Sequence, residues 1–194
     1  MDKVTPAGAN YTVQRRVAGY HDVRMDGISD LVLRCSDKSV FDIGCNRGMV
    51  GLEFAMNGAR KVHGIDIYEQ GILTAREVFA DLRSVESRFE VCDLTKGPAA
   101  VKALFGGPYD FVLCLATYHK ITRVMPADRL GELMRHFGSM TKRYFAWRAT
   151  SDKPDQNDAE MKTLDRDLHS CGLARVHTSY LSHELGVAAV WERK

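Results

Sequence analysis

From Ser39 onward the apolar positions follow two alternating spacings. Short β-branched and aromatic runs occupy 39–44 (SVFDIG), 61–67 (KVHGIDI), 88–94 (RFEVCDL), 109–116 (YDFVLCLA) and 143–149 (RYFAWRA), and runs of that length and composition predict strands. Between them apolar residues recur at helical spacing: Ile72, Ala75, Phe79 and Leu82, then Leu130, Leu133, Met134 and Phe137, then Met161, Leu164, Leu168 and Cys171. Gly58 closes the first helix, Pro98 and Pro126 suit first-turn positions, and Asn157 with Glu160 reads as a capping box opening a helix that stops at Gly172.

Strand–helix alternation requires right-handed crossovers, and hence a parallel sheet covered by helices on both faces. The end of the chain breaks the pattern. Runs 173–181 and 186–193 are joined only by SHEL, which is too short for a crossover and permits only an antiparallel hairpin. The prediction is a single α/β domain with a seven-stranded sheet, mostly parallel, with an antiparallel C-terminal strand. Residues 1–38 are irregular, punctuated by Pro6, Gly8, Gly19 and Gly27, with helices expected around 12–17 and 28–34. No repeat, low-complexity tract or interdomain linker stands out.

Composition narrows the function classes. The 194 residues suffice for one domain, 45% are hydrophobic and 27% charged, and 27 basic against 25 acidic side chains leave a net charge of +2. That balance excludes a wholesale polyelectrolyte binder. No apolar run approaches the roughly 20 residues that span a bilayer, and the first residues lack the apolar block of a secretory signal, so a cytoplasmic location is expected. Cys35, Cys45, Cys92, Cys114 and Cys171 are odd in number and contain no CxxC pair; reduced, mostly buried thiols are expected, with no metal site.

The chemistry-bearing motif is VFDIGCNRG, residues 40–48. An apolar strand ends in Asp42, and Gly44 and Gly48 bracket a turn into a helix beginning near Met49. Glycine permits positive φ and close approach of a ligand to the backbone; Asn46 is among the few side chains that tolerate the left-handed region. Such a loop alone also fits a nicotinamide or flavin site. The next two strands discriminate. Eighteen residues after Gly48, the second ends in Asp66, an acid placed to accept ribose hydroxyls, and the third ends in VCDL with Asp93. Singly these are a turn acid, a helix N-cap and a loop residue. Together they put three carboxylates at one sheet edge, the edge where open α/β sheets bind ligands.

On these residues the chain resembles the class I S-adenosylmethionine-dependent methyltransferases, which are Rossmann-like. DIGCNRG resembles their acidic glycine loop with Asn46 in place of the middle glycine, HGIDI their ribose segment, VCDL their adenine segment, and the final hairpin their inserted antiparallel strand. The resemblance covers 35–194 and implies S-adenosylmethionine as cofactor. By it Asp42, Gly44, Cys45, Asn46 and Gly48 line the methionine part, Asp66 and Ile67 hold the ribose side, Tyr68 flanks the adenine, and Asp93 and Leu94 frame it, with Leu115 also in the cofactor site. It further implies a methyltransferase domain over 39–194 and a lid over 1–38, whose contacts are Tyr11, Arg15, Arg16 and Tyr20.

The fourth strand ends in CLATYHK (114–120), the edge that faces the acceptor in that family. His119 is the candidate base, since its ordinary pKa lies near neutrality, and Tyr118 a candidate for positioning the acceptor. A base is required only for an acceptor that is protonated in its reactive state. Residues 119–148 carry seven basic side chains against Asp128 and Glu132. Most fit a solvated helix face, but Lys120, Arg123 and Arg148 fall near strand ends and could attract an anion. The expectation is O- or N-directed methyl transfer to a small molecule, with an anionic acceptor in view. The alternatives are RNA methylation through the basic stretch and a nicotinamide-dependent oxidoreductase.

Overall fold

A computed structural model describes residues 25–149, 153–181 and 186–194. In chain order its elements are α1 (Ser29–Leu33), β1 (Ser39–Ile43), α2 (Met49–Met56), β2 (Lys61–Asp66), α3 (Glu69–Phe79), β3 (Glu86–Val91), α4 (Pro98–Leu104), β4 (Tyr109–Leu115), α5 (Tyr118–Ile121), α6 (Ala127–Met140), β5 (Thr141–Arg148), α7 (Pro154–His169), β6 (Leu173–Tyr180) and β7 (Val187–Arg193). The seven strands form one sheet in the order β3-β2-β1-β4-β5-β7-β6. β1 to β5 pair in parallel, and β7 runs antiparallel to both of its neighbours, β5 and β6. The expected α/β architecture, with one reversed strand near the C-terminus, is the one observed.

β1 shows why the sheet has two cores. All five of its residues are buried, because a central parallel strand is covered on both faces. Phe41 and Ile43 face the cluster built with α4 to α7, whereas Val40 faces the cluster built with α1, α2 and α3. Phe41 packs 4.9 Å from the Tyr109 ring and 5.4 Å from Phe105, centroid to centroid. Asp42 shares the α1–α3 face, and this places a carboxylate in the interior at the end of the strand that feeds the glycine loop.

Several boundaries differ from the sequence reading, each for a local reason. β3 ends at Val91, so Asp93 lies beyond the strand in a turn over Leu94–Lys96 that its own side chain caps. Leu82 falls past the end of α3. Pro126 is the N-cap of α6 rather than a first-turn residue. Pro154 at the first position opens α7, so Asn157 and Glu160 lie inside the helix and are buried. Proline's fixed φ starts the helix four residues earlier than the capping-box pattern suggests.

Met25, Ile28, Leu31, Val32 and Cys35 belong to the α1–α3 core, so the described part of 1–38 is packed with the domain. The helix expected at 12–17 and the lid contacts Tyr11, Arg15, Arg16 and Tyr20 fall outside the described residues. All five cysteines are free thiols, four of them buried. Among the described residues no helix is long and apolar enough to cross a membrane.

Candidate functional site

At the C-terminal edge of the sheet the ends of β1, β2 and β4 and the turn after β3 open onto a cavity of about 480 Å³. That lies within the roughly 300–1,000 Å³ typical of small-molecule sites. Gly44 and Asn46 form one wall, Asp66, Ile67 and Tyr68 a second, Cys92 to Thr95 a third, and Leu115 to Thr117 with Lys120, Ile121 and Val124 the fourth.

The β1–α2 loop turns through three left-handed residues, Gly44 (φ 74°), Asn46 (φ 49°) and Gly48 (φ 72°). Asparagine at the middle corner is the substitution that this region tolerates best. The N–H groups of Gly44 and Cys45 both donate to the Ile65 carbonyl, at 2.8 and 3.0 Å, which pins the loop to β2. A Cβ at Gly44 would run into the Thr117 hydroxyl, so the first and fourth walls meet there backbone to side chain. Gly48 does not line the cavity. It N-caps α2, and a Cβ there would come 3.0 Å from that of Ala75.

Asp66 spends each carboxylate oxygen once: Oδ2 accepts from the Asn46 N–H at 2.8 Å and Oδ1 from the Tyr68 N–H at 2.9 Å. A carboxylate has about four acceptor positions, so both oxygens can still accept from a ligand. Asp93 bonds through Oδ1 to the Thr95 N–H (3.0 Å) and hydroxyl (2.7 Å). Those bonds hold its carboxyl below the usual carboxylate range. Ile67 and Tyr68 are 67% and 46% exposed yet border the cavity, so they offer apolar surface to whatever fills it.

A second, smaller cavity of about 100 Å³ adjoins the first through Gly44, Asn46, Leu115 and Ala116, and is lined besides by Asp42, Cys45, Arg47, Met49, Val50 and Arg148. Asp42 is 3% exposed and Arg148 6%. Burial and, next, the Asp66 charge push the Asp42 carboxyl up to about 7, against the pull of Arg148. Burial, with the Asp42 charge second, also raises the Cys45 thiol well above its ordinary value, which leaves it inert.

The structure separates the two candidate catalytic residues from the cleft. Tyr118 is 2% exposed in the α4–α7 core, where burial raises its phenol. His119, half-buried on α5, lines neither cavity, and burial lowers its imidazole. The four-residue helix α5 is the reason: it turns Tyr118 inward and brings Lys120 and Ile121 to the cleft. Ala116, Thr117, Ile121, Val124, Cys92 and Thr95 are the wall residues that sequence reasoning missed. Only their position just after a strand end could have flagged them.

The basic stretch is dispersed as well. Lys120 and Arg148 reach the two cavities. Arg135 pairs with Asp167 at 3.2 Å, and Lys142 and Arg143 sit at the far end of β5. No continuous basic track crosses 119–148. Among the described residues no cluster could hold a metal ion.

The donor set fits an adenosyl amino acid. Two carboxylates with spare acceptor positions face the larger cavity, apolar side chains flank it, and an acid and two guanidinium groups line the smaller one. The model of the family described as "Methyltransferase domain" matches residues 40–139. Among solved structures the chain is similar to magnesium protoporphyrin IX methyltransferase from Synechocystis PCC 6803 with bound SAM, at 20% identity, covering 93% of this chain and 89% of that one with a TM-score of 0.63. It is also similar to a S-adenosylmethionine-dependent methyltransferase from Clostridium acetobutylicum ATCC 824 (10% identity, 85% and 87% covered, TM-score 0.64). A third likeness is to a ribosomal protein L11 methylase from Lactobacillus delbrueckii subsp. bulgaricus (14% identity, 86% and 77% covered, TM-score 0.58). No curated protein matches the chain. At such identities the likeness is one of fold.

Proposed function

The chain belongs to the methyltransferase domain family, as a class I S-adenosylmethionine-dependent enzyme, and from that premise we propose that it methylates a small anionic acceptor held at Lys120. The cofactor supplies an electrophilic methyl group on a sulfonium, so the protein's tasks are alignment and exclusion of water. Asp66 accepts the ribose hydroxyls with the lone pairs its backbone bonds leave free. Ile67, Leu94 and Val124 cover the flat faces of the base, and the outer oxygen of Asp93 serves as its polar contact. Gly44 and Asn46 let the backbone approach the sulfur end of the cofactor. Thr117 donates its hydroxyl to the Leu115 carbonyl at 3.2 Å, which fixes the wall that the acceptor rests against.

The observation that carries the acceptor reading is the make-up of the fourth wall. Its charged group is Lys120, and among the described lining residues there is no histidine. An ammonium binds a carboxylate or phosphate oxygen but, being protonated, does not accept the proton of an alcohol. An acceptor that is already deprotonated needs no base. The favoured reaction is therefore O-methylation of an acid, and N-methylation of an amine carrying an acidic group comes second.

Transfer of label from S-adenosylmethionine to a panel of carboxylic acids, matched alcohols and amines tests this, with Lys120→Met beside the wild type. Acid substrates should dominate, and the variant should lose at least about tenfold in kcat/KM through KM, the size expected for a lost charge-assisted contact. Turnover of neutral alcohols that ignores Lys120→Met would overturn the anionic acceptor. Failure of the wild type to bind S-adenosylhomocysteine would overturn the site itself.

A further inference from the structure

The third and fourth walls of the larger cavity both run out into cations that the adenosine-binding reading does not use. Past α5 the chain keeps a helical course, since the Met125 N–H donates to the Ile121 carbonyl at 3.0 Å. Thr117, Lys120, Ile121 and Val124 therefore share one face at helical spacing, and these are the residues that line the cavity. Arg123 follows Lys120 by one helical step, which makes the two surface neighbours, about 5–6 Å apart at Cβ. The third wall leads through Thr95 into Lys96 and Gly97. The first turn of α6 brings Arg129 to the same point, because a Cβ on Gly97 would lie 3.4 Å from its Nη2 atom. Two walls that leave different strands thus end at one basic mouth.

The charges there are not spent within the chain. Lys96, Lys120, Arg123 and Arg129 are all exposed, and among the described residues none of them joins an ion pair. Elsewhere the arginines have acids: Arg76 and Arg88 pair with Glu90, and Arg135 and Arg166 with Asp167. At the mouth Asp93 is turned to capping Thr95, and Asp128 and Glu132 on α6 reach no cation. Burial raises the Glu160 carboxyl and the Arg123 charge opposes this, yet those two form no ion pair.

We propose that this mouth holds a second anionic group of the acceptor, so that the preferred substrate is at least a dianion. One oxyanion lies at Lys120 and takes the methyl group; the other does not react and lies among Arg123, Arg129 and Lys96. The proposal rests on the reading of Lys120 as the acceptor's anchor. In the transfer an acceptor oxygen forms its bond to the methyl carbon while the carbon–sulfur bond breaks and its electron pair goes to sulfur. No proton moves, and the acceptor loses one negative charge. Guanidinium groups present parallel donors that suit the paired oxygens of a carboxylate or a phosphate. Because the cations are exposed, their pull on the second group is screened by salt.

Calorimetry on the protein loaded with S-adenosylhomocysteine tests this. The probes are glutaric, adipic, pimelic and suberic acids, each beside its own monomethyl ester, and phosphonocarboxylic acids of matching length. At low salt at least one diacid should bind about tenfold more tightly than its monoester, which is what two or three exposed charge contacts supply. At about 0.5 M salt, where the screening length is only a few ångströms, that preference should shrink to within about threefold. The double variant Arg123→Gln/Arg129→Gln should lose the preference at low salt as well. Arg83→Gln, which removes an exposed cation at the opposite edge of the sheet, should keep it. Retained S-adenosylhomocysteine binding reports a folded double variant; failing that, each single variant should show part of the loss. A preference for diacids or for phosphonates supports the mouth and tells which oxyanion it takes. Equal affinity of diacid and monoester at every length, or a preference that survives the double variant, would overturn the second anionic group and leave Lys120 in place. Tighter binding of a single-stranded RNA than of any diacid would overturn it too, making the mouth a contact for a phosphate backbone. If neither diacids nor monoesters bound while S-adenosylhomocysteine did, the Lys120 reading would fail with it.

Discussion

The Asp66 carboxylate accepts the backbone N–H of Asn46 at 2.8 Å, so the acid at the end of β2 holds the left-handed corner of the loop that follows β1. The residue expected to grip a ribose thus also shapes the neighbouring wall. Asp66→Ala should lower S-adenosylhomocysteine affinity by at least about 30-fold, since hydrogen bonds to a charged group contribute about 1.5–3 kcal/mol and the loop loses its anchor as well. Asp66→Asn should be nearly as damaging. Its single carbonyl oxygen cannot serve both the Asn46 and the Tyr68 N–H, and its amide would set a donor against a donor. Titration calorimetry on both variants checks this, and an asparagine variant of wild-type affinity would refute it.

Asp42 predicts a pH dependence of cofactor binding. Its carboxyl is pushed up to about 7, chiefly by burial, so in the free enzyme at pH 6 it is largely protonated. With Asp42 at the methionine end of the cofactor, as the family resemblance implies, the ammonium there favours the carboxylate and binding should release a proton. Affinity for S-adenosylhomocysteine should rise up to about tenfold per pH unit below that value and flatten above it, and Asp42→Asn should abolish the slope. In the unliganded protein the sign reverses. The folded state holds this proton where the unfolded chain has released it, so Asp42 costs stability as pH rises from about 4 to 7. Asp42→Asn should therefore melt higher than the wild type at pH 8.

A second titration lies at the opposite edge of the sheet. His63, 8% exposed, places Nδ1 2.8 Å from the Tyr109 hydroxyl. Its imidazole is lowered to about 4, by burial first and then by the Lys61 charge. A base with a depressed folded pKa stabilises the fold above its unfolded value and loses that contribution as pH falls. The His63 contribution to stability should decline between about pH 6.5 and 4, by at most about 3 kcal/mol at 1.36 kcal/mol per unit. Asp42 acts in the opposite sense over that range, so the readout is the difference between the wild type and His63→Gln in urea unfolding. A difference that does not change with pH there would exclude the assignment.

Gly44 carries two separable constraints, a positive φ of 74° and contact with the Thr117 side chain. Gly44→Ala should cost about 2 kcal/mol or more, combining overpacking with a strained backbone. Adding Thr117→Ala should restore only part of it, because removing the hydroxyl and methyl relieves crowding and not φ. Full rescue in thermal unfolding would show that sterics alone matter.

The sheet order was legible because central strands cannot hide their composition: β1 and β4 are mostly apolar runs, and the four-residue SHEL link forces the hairpin. The three acids were legible because each falls at or just beyond the end of a strand. Arg148 was noticed as a cation near a strand end, but its place beside Asp42 in the lining of the smaller cavity needed the register of β1, β4 and β5. That Tyr118 and His119 line neither cavity could not be read beforehand, because a four-residue helix carries too few positions for a period to show. Which face of α5 meets the cleft is decided by the packing of Tyr118 and Ile121, each 6% exposed or less. The Asn157–Glu160 signal failed against a stronger one, Pro154, in the same turn.

The insertion of β7 between β5 and β6 constrains how the chain is made. During synthesis β6 leaves the ribosome before β7, its neighbour in the finished sheet, so its native partner is not yet available. One late event, entry of Val187–Arg193, supplies partners to both sides at once. Until then the five parallel strands present Thr141–Arg148 as a bare rim, open to mispairing with another nascent copy.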